Sequence, residues 1–266
     1  MKLEFCPLNS GSNGNVSFVA AGGTRLLIDA GLPGRSITAM LAQIGVLPET
    51  LNGILVTHEH LDHVKGVGVL SRKYHIPVYA NEATWQAMYR TVGDVPPHLR
   101  RVFESETDFF VGDIGVLSIP ISHDTVEPVA FRLFTGSRSV AVATDIGRVT
   151  KPVLRHLAGV DLILLESNHD PEMLRQNTRY PEALKRRILG IRGHLSNLSS
   201  AQTLLALHET GVRQAVLGHL SGDNNTPELA MRTVMDELIR QGLRPGQDIR
   251  LEMAWRDRVG GYFTLE

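Results

Sequence analysis

The chain has 266 residues, with 27 Lys and Arg against 28 Asp and Glu, so its formal net charge is −1. This balance gives no overall reason to expect binding to a nucleic acid or a membrane, and partners must be inferred from local sites. The length fits a single domain over residues 1–266 with a sizeable core. The one cysteine, Cys6, excludes both a disulfide framework and a cysteine-based zinc ribbon.

The sequence shows neither a signal-peptide pattern nor a transmembrane segment. Residues Met1–Leu8 include Lys2 and Glu4 and contain no apolar run of signal-peptide length. No segment reaches the length and apolarity of a transmembrane helix. We therefore expect a cytoplasmic protein without a membrane partner, whose oligomeric state the sequence leaves open.

Short apolar, β-rich runs recur along the chain and predict strands. They lie at residues 3–8, 16–20, 25–28, 54–56, 78–80, 115–119, 130–133, 140–143, 162–165, 215–217 and 249–253. Helical periodicity predicts helices at residues 34–44, 66–74, 83–92, 151–157, 181–188, 199–209 and 227–241. Strands outnumber helices early and alternate with them later, which predicts an α/β sandwich.

Residues 57–63 read Thr-His-Glu-His-Leu-Asp-His and directly follow a predicted buried strand. The segment concentrates the polar side chains of His58, His60, Asp62 and His63, which would be costly to bury unpaired. Nitrogen and oxygen ligands of this kind suit Zn, Mn or Fe. A His-rich surface turn is the alternative. The place at the C-terminal end of a strand favours a metal site, because α/β folds usually hold their sites there.

This heptad resembles the signature loop Thr-His-x-His-x-Asp-His of the metallo-β-lactamase superfamily and carries it without a departure. The resemblance implies an αββα sandwich of two mixed sheets, with helices outside and metals at one edge. It also implies roles for four polar residues that follow predicted strands: Asp29, His123, Asp145 and His219. Taken alone, each of these is at least as readily a turn or loop residue.

By resemblance, the ligands hold two divalent ions, Zn or Mn. The first ion would be bound by His58, His60 and His123. The second would be bound by Asp62, His63 and His219, with Asp145 bridging both ions and Asp62 also expected to act in catalysis. Asp29 would hydrogen-bond the His-x-His loop and orient its ligands. Three protein ligands and a bridge leave each ion open to water, so the implied chemistry is hydrolysis.

Features that distinguish the subfamilies of this superfamily indicate which of them the chain resembles. Asp145 stands where periplasmic β-lactamases often use a cysteine, and residues 251–265 look strand-like, unlike the helical C-terminal domain of glyoxalase-II-like thioesterases. The span from Asp145 to His219 is too short for the domain inserted in β-CASP nucleases, and one cysteine cannot supply the extra zinc site of PhnP-type enzymes. The chain most resembles the YycJ/WalJ-type phosphodiesterases, through the segments Ser10–Asn15, Ser122–Asp124, Leu165–Asp170, Gly193–Asn197 and His219–Ser221. That group is associated with 5′→3′ exonuclease activity on DNA, so the implied partner is DNA or another phosphodiester.

Two of these segments supply candidate substrate contacts. Ser12 and Asn15 lie in a Gly- and Asn-rich loop whose N–H groups can cup an anion, although a plain hairpin turn is as good an interpretation. His194, with Ser196 and Asn197, resembles the element of superfamily phosphodiesterases whose histidine contacts the scissile phosphate or protonates the leaving oxygen. A helix-capping loop is the alternative, since Ser and Asn cap helices well.

Glu166 and His169 follow the predicted strand at 162–165, and Glu166 is expected to act in catalysis. His169 is either its proton-transfer partner or a structural histidine. A basic stretch, Lys185, Arg186, Arg187 and Arg192, either tracks the phosphates of a strand or forms a solvated face. Arg192 is the member predicted to bind substrate.

Two other classes of function stay open. A small-molecule hydrolase with the same metals, either a cyclic-nucleotide phosphodiesterase or another ester hydrolase, would be favoured by a deep, narrow pocket without flanking cations. A non-catalytic metal-binding module is the third possibility, disfavoured by a full ligand set with open positions.

Overall fold

The computed structural model describes residues 1–266 and contains fourteen strands and nine α-helices. The strands are β1 Leu3–Gly11, β2 Gly14–Ala21, β3 Thr24–Ile28, β4 Gly53–Leu55, β5 Val78–Ala80, β6 Arg100–Val102, β7 Asp108–Val111, β8 Ile114–Pro120, β9 Val129–Thr135, β10 Arg138–Ala143, β11 Leu162–Glu166, β12 Gln214–Gly218, β13 Arg250–Met253 and β14 Phe263–Leu265. The helices are α1 Gly34–Gln43, α2 Leu61–Val64, α3 Val67–Tyr74, α4 Glu82–Val92, α5 Lys151–Leu157, α6 Pro171–Gln176, α7 Glu182–Leu189, α8 Asn197–Glu209 and α9 Pro227–Arg240. Single 3₁₀ turns occur at Pro48–Thr50 and Pro97–Leu99. No helix combines the length and the apolar character that crossing a membrane would require.

The strands form two mixed sheets of seven. The first has the order β14-β1-β2-β3-β4-β5-β6 and the second the order β13-β12-β11-β10-β9-β8-β7. In the first sheet β3, β4, β5 and β6 run parallel, and in the second β10, β11, β12 and β13 do. The two sheets with helices confirm the predicted αββα sandwich.

Three apolar layers hold the sandwich together. The middle layer packs one face of each sheet against the other, for example Leu26 and Ile28 against Val140 and Val142. The outer layers cover the opposite faces with helices, α1, α3 and α4 on the first sheet and α5, α8 and α9 on the second. Because successive strand residues point to opposite faces, central strands are buried on both sides and read as continuous apolar runs.

The elements that sequence patterns missed are short or lie at the edges of the sheets. Strand β6 is Arg-Arg-Val with all three residues at least partly exposed, and β7 begins with an exposed aspartate. Edge strands need no continuous apolar run, so they lack the signal on which the prediction depended. Helix α2 has four residues inside the metal-ligand segment, and α6 has six.

Candidate metal centre

The polar residues singled out in the sequence converge at one edge of the sandwich. Asp29 directly follows β3, and the heptad follows β4, so both leave the C-terminal ends of parallel strands of the first sheet. His219 directly follows β12 of the second sheet, Asp145 lies two residues beyond the end of β10, and His123 lies three residues beyond β8. Strand C-terminal ends from two facing sheets therefore form the walls of one site.

Side-chain atoms group there into sets that can hold a metal ion. His58, His60 and His123 place one ring nitrogen each within 4.8 Å of one another. Asp62, His63 and His219 form another set by the same measure. These are the two groups that the family resemblance implies.

Asp145 lies between the two sets and is buried. Its Oδ1 is 3.2 Å from His219 Nε2 and 3.6 Å from His123 Nε2, and its Oδ2 is 3.1 Å from His63 Nε2. One carboxylate thus faces a histidine of the first set and two of the second, which is the position that a bridging ligand requires.

Four of the clustered histidines have their outer ring nitrogen held by a neighbour, so the other nitrogen faces the site. His63 Nδ1 is 2.8 Å from Asp29 Oδ2, and His219 Nδ1 is 3.1 Å from Asn15 Oδ1. His123 Nδ1 is 3.1 Å from the carbonyl oxygen of Gly193, and His58 Nδ1 is 3.0 Å from Thr57 Oγ1. Such partners fix the ring orientation and tautomer of metal-binding histidines.

Asp29 also anchors the loop that carries the heptad. Its Oδ1 accepts a hydrogen bond from the backbone N–H of Thr57 at 2.9 Å, and its Oδ2 accepts one from the Thr57 hydroxyl at 2.9 Å. Together with the contact to His63, these bonds give Asp29 the loop-orienting position that the resemblance implies.

Three residues of the site adopt left-handed backbone conformations outside glycine. Asp29, Asp145 and His219 have φ values of 60°, 59° and 54°. Each stands where a strand ends, and the left-handed turn directs its side chain into the site. Positive φ in a non-glycine residue costs about 1–2 kcal/mol, and such conformations cluster at functional sites.

The electrostatics of the cluster suit cation binding. Burial and the neighbouring imidazoles lower the pKa of His58 well below its usual value, and burial likewise lowers the pKa of His123. Burial opposes ionisation of Asp145, yet His219 and His63 hold its pKa well below its usual value. Neutral rings at His58 and His123 beside an ionised carboxylate are the protonation states that bind a metal. His63 differs: burial opposes its charge, but Asp145 and Asp29 raise its pKa well above the usual value, so an ion bound there would displace a proton from that ring.

His58 Nε2 is buried and has no hydrogen-bond partner, although its other ring nitrogen has one. An orphaned buried nitrogen is costly unless a ligand satisfies it. The nitrogen belongs to the set with His60 and His123, so an ion bound there would remove that cost. The residues present therefore fit divalent metal ions of the Zn or Mn class.

Glu166 and His194 form a pair beside the metal-ligand sets. Glu166, at the end of β11, places Oε1 2.7 Å from His194 Nδ1, while its Oε2 accepts the backbone N–H groups of Ile146 at 2.8 Å and Leu195 at 3.1 Å. Burial alone would lower the pKa of His194, but the charge and hydrogen bond of Glu166, helped by Asp145, raise it to about 9. His194 Nδ1 is 3.6 Å from Asp145 Oδ1, which connects the pair to the metal ligands.

His169 does not join that pair. Its side chain is buried, and neither ring nitrogen has a hydrogen-bond partner. Burial lowers the pKa of His169 to about 4, so the ring is neutral. Its predicted partner, Glu166, contacts His194 instead.

The residues predicted to contact substrate have different surroundings in the structure. Ser12 is exposed in the two-residue turn of the β1–β2 hairpin and lines a cavity of about 160 Å³ together with His194 and Arg187. Asn15 is buried, and its amide group lies 3.0 Å from His63 Nε2 as well as contacting His219. The loop is thus a hairpin turn whose asparagine supports metal-ligand histidines, while Ser12 faces the cavity.

Ser196 and Asn197 take part in building α8. Ser196 caps the helix by accepting the backbone N–H of Ser199 at 3.2 Å. Asn197 is fully buried and exchanges side-chain hydrogen bonds with Asn225, at 3.0 and 2.8 Å. The helix-capping interpretation of this segment matches the geometry, and the place of Asn197 leaves it no surface for a substrate.

The basic stretch before His194 does not act as one surface. Lys185 is 8% exposed, and its amino group donates to the carbonyl oxygen of Arg175 at 2.7 Å. Arg187 pairs with Asp124, and Arg192 donates from Nε to the carbonyl oxygen of His123 at 2.9 Å. Arg187 and Arg192 therefore border the site, whereas Lys185 belongs to the structure of α7.

Sequence reasoning gave no role to Asp124 or Ser10. Asp124 Oδ1 is 3.3 Å from His123 Nε2, and the side chain couples that histidine to Arg187. The Ser10 hydroxyl accepts the backbone N–H of His219 at 2.8 Å. Direct adjacency to His123 is a signal that could have identified Asp124, whereas the contact of Ser10 joins residues far apart in the chain.

Comparisons with known proteins agree with this geometry. Residues 24–220 match the model of the family described as the beta-lactamase superfamily domain. The chain is 41% identical to exodeoxyribonuclease YycJ of Bacillus anthracis over 93% of each chain, and 41% identical to exodeoxyribonuclease WalJ of Streptococcus pneumoniae over 94% of this chain and 93% of the relative. The crystal structure of the metallo-beta-lactamase fold protein YhfI from Bacillus subtilis superposes with a TM-score of 0.70 over 100% of both chains, at 15% identity. The chain therefore belongs to the β-lactamase superfamily and is a homologue of the YycJ and WalJ exodeoxyribonucleases with the metallo-β-lactamase fold.

Proposed function

We propose that this protein is a dinuclear-metal-dependent phosphodiester hydrolase that degrades DNA as a 5′→3′ exonuclease. The observation that carries the proposal is the pair of three-residue sets on either side of Asp145, next to the Glu166–His194 pair. The names of the relatives at 41% identity support DNA as the substrate. When bound, two Zn or Mn ions would activate water and stabilise charge on the oxygens of a phosphodiester.

The ligand residues would divide their work between the two ions. His58, His60 and His123 would hold the first ion, and Asp62, His63 and His219 the second. Asp145 would contact both, as its distances to both sets allow. Asp62, whose side chain is 25% exposed, is the ligand of the second set that also faces incoming substrate and water.

His194 would supply a proton to the leaving oxygen. Glu166 occupies its Nδ1 at 2.7 Å, which leaves Nε2 as the ring nitrogen available to the substrate. The side chain is 19% exposed and lines the cavity shared with Ser12 and Arg187. A histidine oriented by a buried carboxylate and open to the substrate on its other side has the arrangement of a general acid.

The surroundings of the site favour a polymer over a small molecule. The cavity beside His194 is bordered by Arg187, which pairs with Asp124, and Arg179 lies nearby in an ion pair with Asp223, in the same loop as Ser221. Two further arginines, Arg256 and Arg258, line the adjoining cavity. Flanking cations attract the phosphates of a nucleic acid strand, whereas the alternative small-molecule hydrolase would need only the metal pocket.

A direct assay separates these functions. The purified protein loaded with Mn or Zn is incubated with 5′-labelled DNA, 3′-labelled DNA, bis-p-nitrophenyl phosphate and a thioester. We expect labelled mononucleotide from the 5′-labelled strand at the earliest times and a gradual shortening of the 3′-labelled strand, both abolished by a chelator. Hydrolysis of the aryl diester without DNA cleavage would establish the small-molecule alternative, and a preference for the thioester would refute a phosphodiesterase.

A further inference from the structure

A second cavity of about 160 Å³ adjoins the metal centre. Its walls come from the loop after β12 and from the segment between β13 and β14. The lining includes the aromatic ring of Trp255 and the guanidinium groups of Arg256 and Arg258. None of these three residues contributes to the metal-ligand sets.

The walls of this cavity are tied to the metal centre by shared residues and hydrogen bonds. Ser221 lines both this cavity and the one that contains His194. Ser10, another wall residue, accepts the backbone N–H of His219 at 2.8 Å and donates its own backbone N–H to the carbonyl oxygen of Trp255 at 2.8 Å. An isolated β-bridge between Gly11 and Leu220 also joins the end of β1 to the loop after β12. A strand whose phosphate lies beside His194 can therefore place a neighbouring nucleotide in this cavity.

Trp255 and Arg258 form a stacked pair. The guanidinium carbon of Arg258 lies 3.7 Å from the centroid of the Trp255 ring, which is partly buried against the core of the second sheet. Arg258 itself is exposed. Aromatic rings and the planar guanidinium group of arginine are the side chains on which proteins stack unpaired bases, and stacking of this kind tolerates any base.

Arg256 provides an uncompensated positive charge next to the stack. Its guanidinium group packs against Gly222. A Cβ on residue 222 would lie 2.6 Å from Arg256 Nη1, so only glycine leaves space for this position of the arginine. The other arginines at the mouth are neutralised, Arg179 by Asp223 and Arg187 by Asp124, whereas Arg256 and Arg258 have no ion-pair partner. Asp257 is the one carboxylate in the lining, and the three side chains together keep a net positive charge.

We propose that this cavity, which we call the Trp255 cavity (Trp255, Arg256, Arg258 and Ser221), binds a nucleotide that adjoins the scissile phosphate. Its base stacks on the Arg258–Trp255 pair, and Arg256 contacts its phosphate. The inference rests on the proposed function and adds to it a subsite for an unpaired nucleotide. It assigns the contacts of the strand to the segment between β13 and β14 instead of to the basic stretch before His194.

The test compares two substrates in the metal-loaded protein: a single-stranded DNA oligonucleotide and methyl p-nitrophenyl phosphate, an aryl diester whose one ring is the leaving group and whose methyl group cannot stack. We expect Trp255→Ala to lower kcat/KM for the oligonucleotide by roughly 5- to 150-fold, the usual effect of removing one stacking aromatic. Hydrolysis of the aryl diester should stay unchanged. Trp255→Phe should retain most of the activity on DNA, because a phenyl ring still stacks.

The chain offers a matched control. The guanidinium carbon of Arg100 lies 5.8 Å from the centroid of the Trp85 ring. This pair lies beside the first sheet and lines neither of the cavities beside the metal centre. Trp85→Ala removes a similar tryptophan–arginine pair and should leave hydrolysis of both substrates unchanged. Arg256→Gln should weaken DNA binding by the chelator-treated protein and reduce the slope of log Kd against log salt by about 0.7, the value for one phosphate contact on a single strand.

Modified substrates test the inference without altering the protein. An abasic nucleotide at one of the first two positions from the 5′ end should slow the wild-type protein as Trp255→Ala does, and should slow the Trp255→Ala variant no further. An abasic nucleotide at a position well inside the strand should have no effect. Such non-additivity identifies a direct contact between base and side chain.

The outcomes separate the two proposals. Equal losses on DNA and aryl diester, or normal cleavage of DNA with abasic ends, would overturn the nucleotide subsite while leaving the exonuclease intact. A wild-type protein that hydrolyses the aryl diester but no DNA would overturn both. If Trp255→Ala does not fold, Arg258→Gln and the abasic substrates give the same decision.

Discussion

The two halves of the metal centre are built differently. The first sheet supplies four candidate ligands from one seven-residue segment after β4, and Asp29 hydrogen-bonds Thr57 and His63 of that segment. The second sheet supplies its residues singly, from the ends of β8, β10, β11 and β12, which lie far apart in the chain. The first half is therefore a local structure that a short motif encodes, and the second exists only once the whole sheet has formed. Substitutions in the two halves should have different consequences.

The largest expected effect is in the second half, at Asp145. Because this carboxylate faces both ligand sets, Asp145→Ala should release both ions and abolish hydrolysis while the fold survives. His60→Ala, in the first half, should release one ion, since His60 belongs to a single set. Metal content measured by mass spectrometry alongside activity and circular dichroism checks this. Two retained ions in Asp145→Ala with normal turnover would contradict the bridging role.

The next effect concerns the Glu166–His194 pair, which lies beside the two three-residue sets. His194→Ala should keep both metals yet lower kcat on DNA by roughly 10²–10⁴-fold, the usual contribution of a general acid. Glu166→Gln should act in the same direction, because Glu166 holds His194 at 2.7 Å. Bis-p-nitrophenyl phosphate, which has a good leaving group, should lose much less.

A matched control for His194 is the exposed His98, whose replacement by alanine should change neither substrate. Equal losses of His194→Ala on DNA and on the aryl diester would show that the histidine positions the phosphate instead of protonating the leaving oxygen.

A smaller effect is expected at Asp29, which hydrogen-bonds the seven-residue segment of the first half. Asp29→Asn keeps the size of the side chain but removes the charge that orients His63 at 2.8 Å. Loss of such a supporting carboxylate typically costs roughly 10–100-fold in metal affinity. Titration of the apoprotein with Zn should show this loss at one of two sites, with full activity restored at saturating metal. Unchanged affinity at both sites would mean that Thr57 and the loop alone hold the ligands.

The smallest expected effect measures the backbone strain at a strand end. Asp145 has a φ of 59°, so alanine there keeps the left-handed strain and glycine removes it. In the metal-free protein, Asp145→Gly should therefore be about 1 kcal/mol more stable to urea than Asp145→Ala. Ala143, the last residue of β10, provides the opposite control, since Ala143→Gly should lower stability by about 0.5–1 kcal/mol. Equal stability of the two Asp145 variants would contradict a strained turn.

The same contrast explains how much the sequence could predict. The heptad predicted four candidate ligands because they are adjacent in the chain, and the continuous apolar runs identified the central strands because both of their faces are buried. Asp145 and His219 needed the family resemblance, since an isolated strand-end residue has no local pattern. No pattern could have shown that Asn15 and Asn197 are buried supports instead of substrate contacts, because their partners, His219 and Asn225, are brought near only by the fold.

The pairing of β14 with β1 has a consequence for how the chain folds. Residues Leu3–Phe5 find their partners in Phe263–Leu265, and Phe5 stacks on Phe263. During synthesis the outer edge of β1 therefore stays open until Phe263–Leu265 have left the ribosome. Open edges recruit other strands, and contacts between such distant residues form slowly. We expect aggregation during expression to increase sharply in chains that end before β14, even though every residue of the metal centre is present.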